Sequence, residues 1–426
     1  MHEVALATML TLVLARAGGG SSGYGGGGGG GYSGGGGGYS GGAGGGGLGL
    51  LLIVGIVGFV LFGIFSTWLA ARRVRRRRAE RAARVRLASV EAAQDDGAFS
   101  QERVEGDAAT LFKTLQAAWD AGDLKTLATL VGDDLLVEWR RRLQDFARRG
   151  WRNRVRVVDG PDVAYVGLLN REHDADDRAV VHVTATIEDY VESGGARIMR
   201  ADDSDSTSAV SEYWTLAKRD GSWMLVSIEQ DAEGLHNLDA PIVTSPWDDT
   251  RVRDEAVVEG ALADAALPGT ATAELIDVDL AADARTQALD LSLADARFAP
   301  DVLEIAARRA AEAWAEAVDG DDAPLNAVAE PSAVSALLYA GDSQQRTRLV
   351  VRGPRIEGLT IQRIDAQGQP ARMTIELRVR GRRYVEDRDS AAVVSGSRER
   401  EVQFTERWTM ALAGEGAAPW RLVGVA

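Results

Sequence analysis

Leu48 to Ala71 reads LGLLLIVGIVGFVLFGIFSTWLAA, 24 residues without one charge. As an α-helix rising about 1.5 Å per residue, the run is long enough to cross the roughly 30 Å hydrocarbon core of a bilayer with some tilt. The competing reading, a buried core helix, asks for a much longer uncharged stretch than core helices usually have. Trp68 near its carboxyl end suits the membrane interface. Everything else in the chain is therefore expected to hang from a single membrane span.

The charge distribution gives that span a direction. Nine Arg and one acid, Glu80, lie between Arg72 and Arg86, while the first 71 residues carry only Glu3 and Arg16. Loops rich in Lys and Arg stay on the cytoplasmic side. The expectation is a single-pass inner (cytoplasmic) membrane protein, amino terminus outside and carboxyl-terminal region in the cytoplasm. Residues 72–98 read as an Arg-rich helical stalk. Arg72, Arg73, Arg75, Arg76, Arg77 and Arg78 are placed to meet anionic lipid at the membrane surface. The plainer account of these arginines is topology alone, without specific lipid recognition.

Residues 18–47 are glycine interrupted by Ser and Tyr. Such a chain has high conformational entropy and nothing to bury, so a disordered spacer is expected. Residues 1–17 hold a short apolar stretch ending Ala15-Arg16-Ala17. This has the h-region and small-residue site of a signal peptide but not its positive start, so cleavage stays open.

Past the Arg run, the chain holds 38 basic and 61 acidic residues, a net of −23. A body this acidic lacks the basic footprint that phosphate binding needs, so nucleic acid is not an expected partner. The absence of Cys excludes disulfides, thiolate nucleophiles and cysteine zinc sites.

The soluble region repeats itself. Val104 to Ala121 carries the helical stripe Ala108, Leu111, Phe112, Leu115, Ala118 and Trp119, and Gly122 ends it. Two further helical patterns run to Gly150. Then the period changes to two: Val181, Val183, Ala185 and Ile187 alternate with His182, Thr184, Thr186 and Glu188. Asp220-Gly221 marks a hairpin turn. The same order returns from Pro300. Trp119 to Tyr190 spans 71 residues and Trp314 to Tyr384 spans 70; Tyr190 to Trp214 and Tyr384 to Trp408 both span 24. Tyr-Val-Glu, Glu-x-Trp-Thr and a closing Trp-x-Leu-Val strand recur in register. Two copies of one α+β unit are expected, at 99–234 and 298–426, joined by an acidic linker at 235–297.

Three helices followed by a bent antiparallel sheet resemble the cone of the nuclear transport factor 2-like fold. The segments LQAAWDAGDLKTLATLVGDDLL and SEYWTLAKRDGSWMLVSIEQ are similar to the carboxyl-terminal domain of the mitochondrial inner-membrane translocase subunit 44 and its bacterial relatives. The resemblance covers 100–232 well and 300–426 more loosely. It implies a membrane-associated scaffold that binds protein, with a role in translocation or membrane assembly, and it brings no catalytic residues. The chain departs from the mitochondrial member in its duplication, its acidic linker and its lack of a transit peptide.

No other constellation carries chemistry by its spacing. None of His2, His173, His182 and His236 has a partner at metal-ligand spacing, and they read as solvent-facing. The acidic stretches 174–177 and 202–205 lack the calcium-loop pattern and read as solvated loops. The glycine tract is no phosphate loop, and there is no Gly-x-Ser-x-Gly. No catalytic, cofactor or metal residue is assigned. Trp119, Tyr190, Tyr213, Trp214, Trp223, Trp314, Tyr384 and Trp408 are candidates to line an apolar pocket for a hydrophobic ligand; the alternative is that they fill the core. The function expected is a non-enzymatic scaffold whose protein partner the sequence does not name. The alternative is a small-molecule-binding or isomerase-like enzyme on the same cone, which needs a carboxylate or His/Asp pair inside it.

Overall fold

The computed structural model describes residues 46–198, 207–262, 278–413 and 418–425. The candidate signal segment, the glycine spacer up to residue 45 and the acidic stretch 202–205 lie outside them. Helix α1, Gly46–Asp95, is 50 residues long and joins the apolar run to the Arg cluster without a break. Side chains are described from Phe62 onward, Gly63 and Ile64 excepted. Among those described residues no helix is long and apolar enough to cross a membrane. Most of Leu48 to Ala71 lies outside them.

The first unit begins with α2, Gln101–Ala121, α3, Leu124–Leu130, and α4, Asp133–Arg148. Gly122 ends α2 in the left-handed region at φ 69°, donating to Trp119 O, a conformation that costs glycine no Cβ clash. Asp123 caps α3 by accepting from the N–H groups of Lys125 and Thr126.

The sheet has the order β1-β2-β4-β5, all antiparallel: β1 Trp151–Leu169, β2 Arg178–Ser193, β4 Thr207–Arg219 and β5 Ser222–Gln230, with the short β3, Ala196–Ile198, added to β2. Strand β1 runs its 19 residues with register shifts after Val157, Asp159 and Tyr165. Such bulges bend a strand and close the sheet over the helices. The β4–β5 turn has Asp220 at φ 53° and Gly221 at φ 74°, as a two-residue hairpin requires.

Inside the cone, Val181, Val183, Ala185 and Ile187 pack with Phe112, Leu115, Trp119, Trp139 and Trp214. The opposite face of the sheet was expected to be polar and solvated. Around His182 it is instead covered. His182 is 4% exposed, stacked edge-on against Tyr213 and bonded to Ser211 Oγ at 3.0 Å. Two elements do the covering: α1 and the single turn Gly234–Leu238.

The expected stalk is therefore part of the first unit. Val85 and Ala92 of α1 are fully buried in the main core. Arg81 is buried and donates to Val166 O of the edge strand β1 at 2.7 Å. Arg78 lies over the Tyr213 ring and pairs with Asp231; Arg77 pairs with Asp239 at 2.8 Å. An edge strand with unpaired backbone groups invites unwanted pairing, and α1 closes it.

The second unit repeats the plan. Helices α7, Pro300–Asp319, α8, Ala323–Val328, and α9, Pro331–Tyr339, pack on a sheet ordered β11-β10-β8-β7-β6. These strands are β6 Val278–Leu280, β7 Thr347–Asp365, β8 Arg372–Asp387, β10 Val402–Leu412 and β11 Trp420–Val425, with β9, Val393–Gly396, paired to β8. Much of the expected linker is structure. Helix α5, Thr250–Leu262, lies against α7, where Arg308 and Asp254 form a buried pair at 2.9 Å. Strand β6 runs parallel to β7, and α6, Ala282–Ser292, packs beside it. Residues 263–277 lie outside the described set.

Candidate functional site

Each cone has a mouth, where the first helix ends and the first long strand begins. The mouths superpose by register. Arg152 faces Glu192 across β1 and β2; Arg348 faces Glu386 across β7 and β8. Two and four residues on, Arg154 and Arg156 correspond to Val350 and Arg352.

The second mouth is filled by the first unit. Arg348 and Arg388 both pair with Asp134 in the first turn of α4, and Tyr339 Oη donates to the same carboxylate at 3.2 Å. Arg352 donates to Ser227 Oγ at 3.1 Å and to Ile228 O at 3.2 Å, both on the edge strand β5. Glu386 takes Arg398 at 2.7 Å and reaches Arg142 of the first unit at 3.4 Å. The space left between the units there is only about 50 Å³. Buried charges are tolerated because each is paired and hydrogen-bonded.

His236 lies beside this contact. Its Nε2 is 2.7 Å from Glu229 Oε1 and 3.6 Å from Asp319 Oδ2. Burial alone would strip its proton, but the two carboxylates outweigh burial and lift its pKa to about 9. Glu229 is held well below the usual carboxylate range, because the imidazolium and Arg352 outweigh its own burial. Asp319, farther from the ring, is pushed up by burial and by the Glu229 charge. These groups could in principle ligate a cation, but an imidazolium and the Arg352 guanidinium already balance the acids. The group Asp96, Asp174 and Asp177 likewise holds an ammonium, Lys218 Nζ, which is 2.6 Å from Asp177. Burial opposes that charge, and hydrogen bonds to Asp177 and Asp96 still raise the Lys218 pKa. Asp177 is 1% exposed, so part of the expected solvated loop is a buried ion pair.

The first mouth is open. A cavity of about 530 Å³ lies between the ends of α2 and α4 and the start of β1. Trp119, Leu143, Phe146 and Trp151 form its apolar wall, and Arg152, Glu192 and Asp120 its polar side. Trp119 Nε1 donates to Asn153 Oδ1 at 2.7 Å, and Asn153 Nδ2 donates to Asp189 Oδ1 at 2.7 Å, which locks the floor. Asp120 accepts from Val155 N–H at 2.9 Å and pairs with Arg154 at 3.3 Å. The carboxylates at this cavity thus serve as structural acceptors, and a proton-transfer pair is not among them.

Of the eight aromatics, Trp119 borders this cavity. Trp214, Trp314 and Trp408 are fully buried in the two cores, with Trp314 edge-on to Trp408 at 5.4 Å and Trp214 against Phe112 at 5.2 Å. Trp223 packs on Phe99 and donates to Ala98 O. Tyr213 faces the outer side of the sheet under Arg78. Tyr190 carries Arg197 over its ring, and the buried Tyr384 carries Arg398. Among the surface arginines, Arg72 lies over Trp68 and Arg76 pairs with Glu80, while Arg73 and Arg75 are exposed. Arg77 and Arg78 pair with acids of the first unit, Asp239 and Asp231. Sequence reasoning did not find Arg348, Arg352, Arg388, Asp134 or Glu386. The available signal was Arg348 and Arg352 recurring on one face of a strand start in an otherwise acidic chain.

The Tim44-like domain pattern matches residues 85–230 and again 283–426. The chain belongs to the Tim44-like family. These are binding and scaffold domains, generally non-catalytic and membrane-associated, that bind proteins and membranes. The first Tim44-like match starts inside α1, in accord with the burial of Val85. None of the curated proteins compared matches the chain in sequence. Among solved structures, the chain is similar to the intermembrane space region of the chloroplast protein ARC6, at 10% identity and a TM-score of 0.23, over 30% of this chain and 95% of that one. It is also similar to an Ntf2-like protein involved in plasmid conjugation, at 9% identity and a TM-score of 0.19, over 76% of this chain and 96% of that one.

Proposed function

We propose that this Tim44-like protein is a non-enzymatic scaffold tethered to the inner membrane by Leu48–Ala71, with both domains on the cytoplasmic side and the open mouth of the first domain as its protein-binding site. The observation that carries this reading is the continuity of α1. One helix of 50 residues starts in the uncharged run and ends with Val85 and Ala92 inside the first core. A bilayer span continuous with a domain core holds that domain at a fixed height and angle. A tether of this kind raises the local concentration of the site at the membrane. The outward arginines, Arg72, Arg73, Arg75 and Arg76, then lie at the level of anionic headgroups.

The test is alkaline carbonate extraction of native membranes, followed by protease protection of sealed vesicles and proximity labelling from the carboxyl end. The protein should stay in the membrane pellet, and its domains should be cleaved only from the cytoplasmic side. Release into the carbonate supernatant would end the tethering reading, and labelling of extracytoplasmic proteins would reverse the orientation.

A further inference from the structure

The two mouths are the same device in two states. In the second, Arg348 and Arg352 hold the first domain, and the residual space is about 50 Å³; in the first, Arg152, at the strand position of Arg348, borders a cavity of about 530 Å³. What fills the second mouth has a definite chemistry. It is the amino-terminal turn of α4, Asp133-Asp134-Leu135, with Glu138 one turn on; Asp134 meets the arginines, and Leu135, packed in the first unit's core, borders the gap.

We infer that the open first mouth takes a helix of a partner protein that begins with acidic residues followed by leucine, read by Arg152. This rests on the scaffold function proposed above and names the partner's chemistry. Arg152 is exposed and has no ion pair among the described residues, whereas Arg154 and Arg156 are occupied by Asp120, Glu192 and Glu188. An acidic first turn meets a guanidinium well, because carboxylates are favoured at helix amino termini and arginine pairs with them bidentately. The apolar wall, with Phe146 and Trp151, supplies the burial for the leucine that follows. A second copy of this chain does not fit. The surface of the second domain equivalent to Gly132-Asp133-Asp134 is Glu330-Pro331-Ser332, as the matching bonds from Gly132 N to Leu225 O and from Glu330 N to Leu422 O show. The aspartates have been replaced by Pro and Ser.

The test uses the full chain in phosphatidylcholine nanodiscs and a fluorescein-labelled peptide of residues 131–149, read by anisotropy. The copy of this segment inside the protein already occupies the second mouth, so added peptide reports on the first. Saturable binding is expected. It should weaken at least tenfold for Arg152→Glu, and equally for a peptide with Asp133→Asn and Asp134→Asn. A peptide with both aspartates changed to lysine should bind Arg152→Glu better than the original protein. Unchanged thermal unfolding of Arg152→Glu shows that the fold is intact. No saturable binding up to millimolar peptide overturns the inference, as does equal affinity for Arg152→Glu. Uptake of a fluorescent fatty acid that survives Arg152→Glu, with no peptide binding, also overturns it. Carbonate extraction reads the tethering separately, so either idea can fail alone.

Discussion

Asp134 is the residue on which the most depends. Its one carboxylate pairs with both Arg348 and Arg388, each nearly inaccessible to water. Removing one partner of a buried ion pair costs about 3–5 kcal/mol, because the remaining charge has no solvent to turn to. Asp134→Ala is therefore expected to undock the domains before it unfolds either one. Denaturant unfolding followed by tryptophan fluorescence should change from one transition to two; a single unshifted transition would contradict this account. Gly353 is a second sensitive position. It sits at φ 58°, and a Cβ there would come within 2.8 Å of the His236 side chain. Gly353→Ala combines roughly 1–2 kcal/mol of left-handed strain with a clash at the contact. Amide exchange should rise locally at residues 227–238 and hardly at all inside the second cone.

At the scale of elements, α1 decides what counts as a domain. A helix carrying nine Arg in fifteen residues looks, from sequence, like a polar stalk. The structure turns one stripe of it inward, so that Val85, Ala92 and the stem of Arg81 cover the edge strand β1. Burying Val85 contributes about 1.5–3 kcal/mol, the smaller Ala92 methyl about 0.8, and the arginine–carbonyl bond about 1.5–3. A soluble fragment beginning at residue 72 should melt roughly 5 °C above one beginning at residue 99. Equal melting temperatures would return α1 to the role of a free stalk. The same logic explains the linker. The stretch 235–297 reads as acidic and irregular because its short helices bury little by themselves, and its described parts pack against β7, α7 and the outer face of the first sheet.

At the scale of the whole molecule, docking of the domains depends on pH. The folded-state pKa of His236, about 9, lies above its ordinary value of 6.5. Its contribution is thus complete below about pH 6.5 and disappears as pH rises through 9. Asp322, whose burial lifts it from 3.8 to about 6, opposes docking at neutral pH and is relieved on acidification. Glu316 runs the other way. Arg171 and Arg251 outweigh its burial and hold it at about 2, so its contribution is present above about 4.5 and fades as pH falls towards 2. The docked pair should be most stable near pH 5–6. Unfolding midpoints measured from pH 4 to 10 test this, and His236→Gln should flatten the alkaline limb while leaving the acid limb in place. A midpoint that does not move between pH 6 and 10 would refute the role given to His236.

Local chemistry in the chain was enough for the repeated α+β unit, the ends of α2 and α3, the Asp220-Gly221 turn and the core face of β2. Each depends on neighbours a few residues away: a left-handed glycine, a capping carboxylate, a period of two. The Tim44-like identity followed from motifs that recur at fixed spacing. What only the tertiary structure decided is which polar faces are covered. His182, Glu229, Arg348 and Arg352 alternate with apolar residues just as solvent-facing side chains do, and a strand pattern cannot say whether water or a second domain lies beyond it. The partner of each charge is 85 residues or more away in several of these contacts, from Arg81 and Val166 to Asp134 and Arg388. The difference between a filled mouth and an open one is of the same kind. Arg348 and Arg152 occupy equivalent positions in two copies of one strand, and only the packing of one copy against the other makes the first a buried clasp and leaves the second exposed.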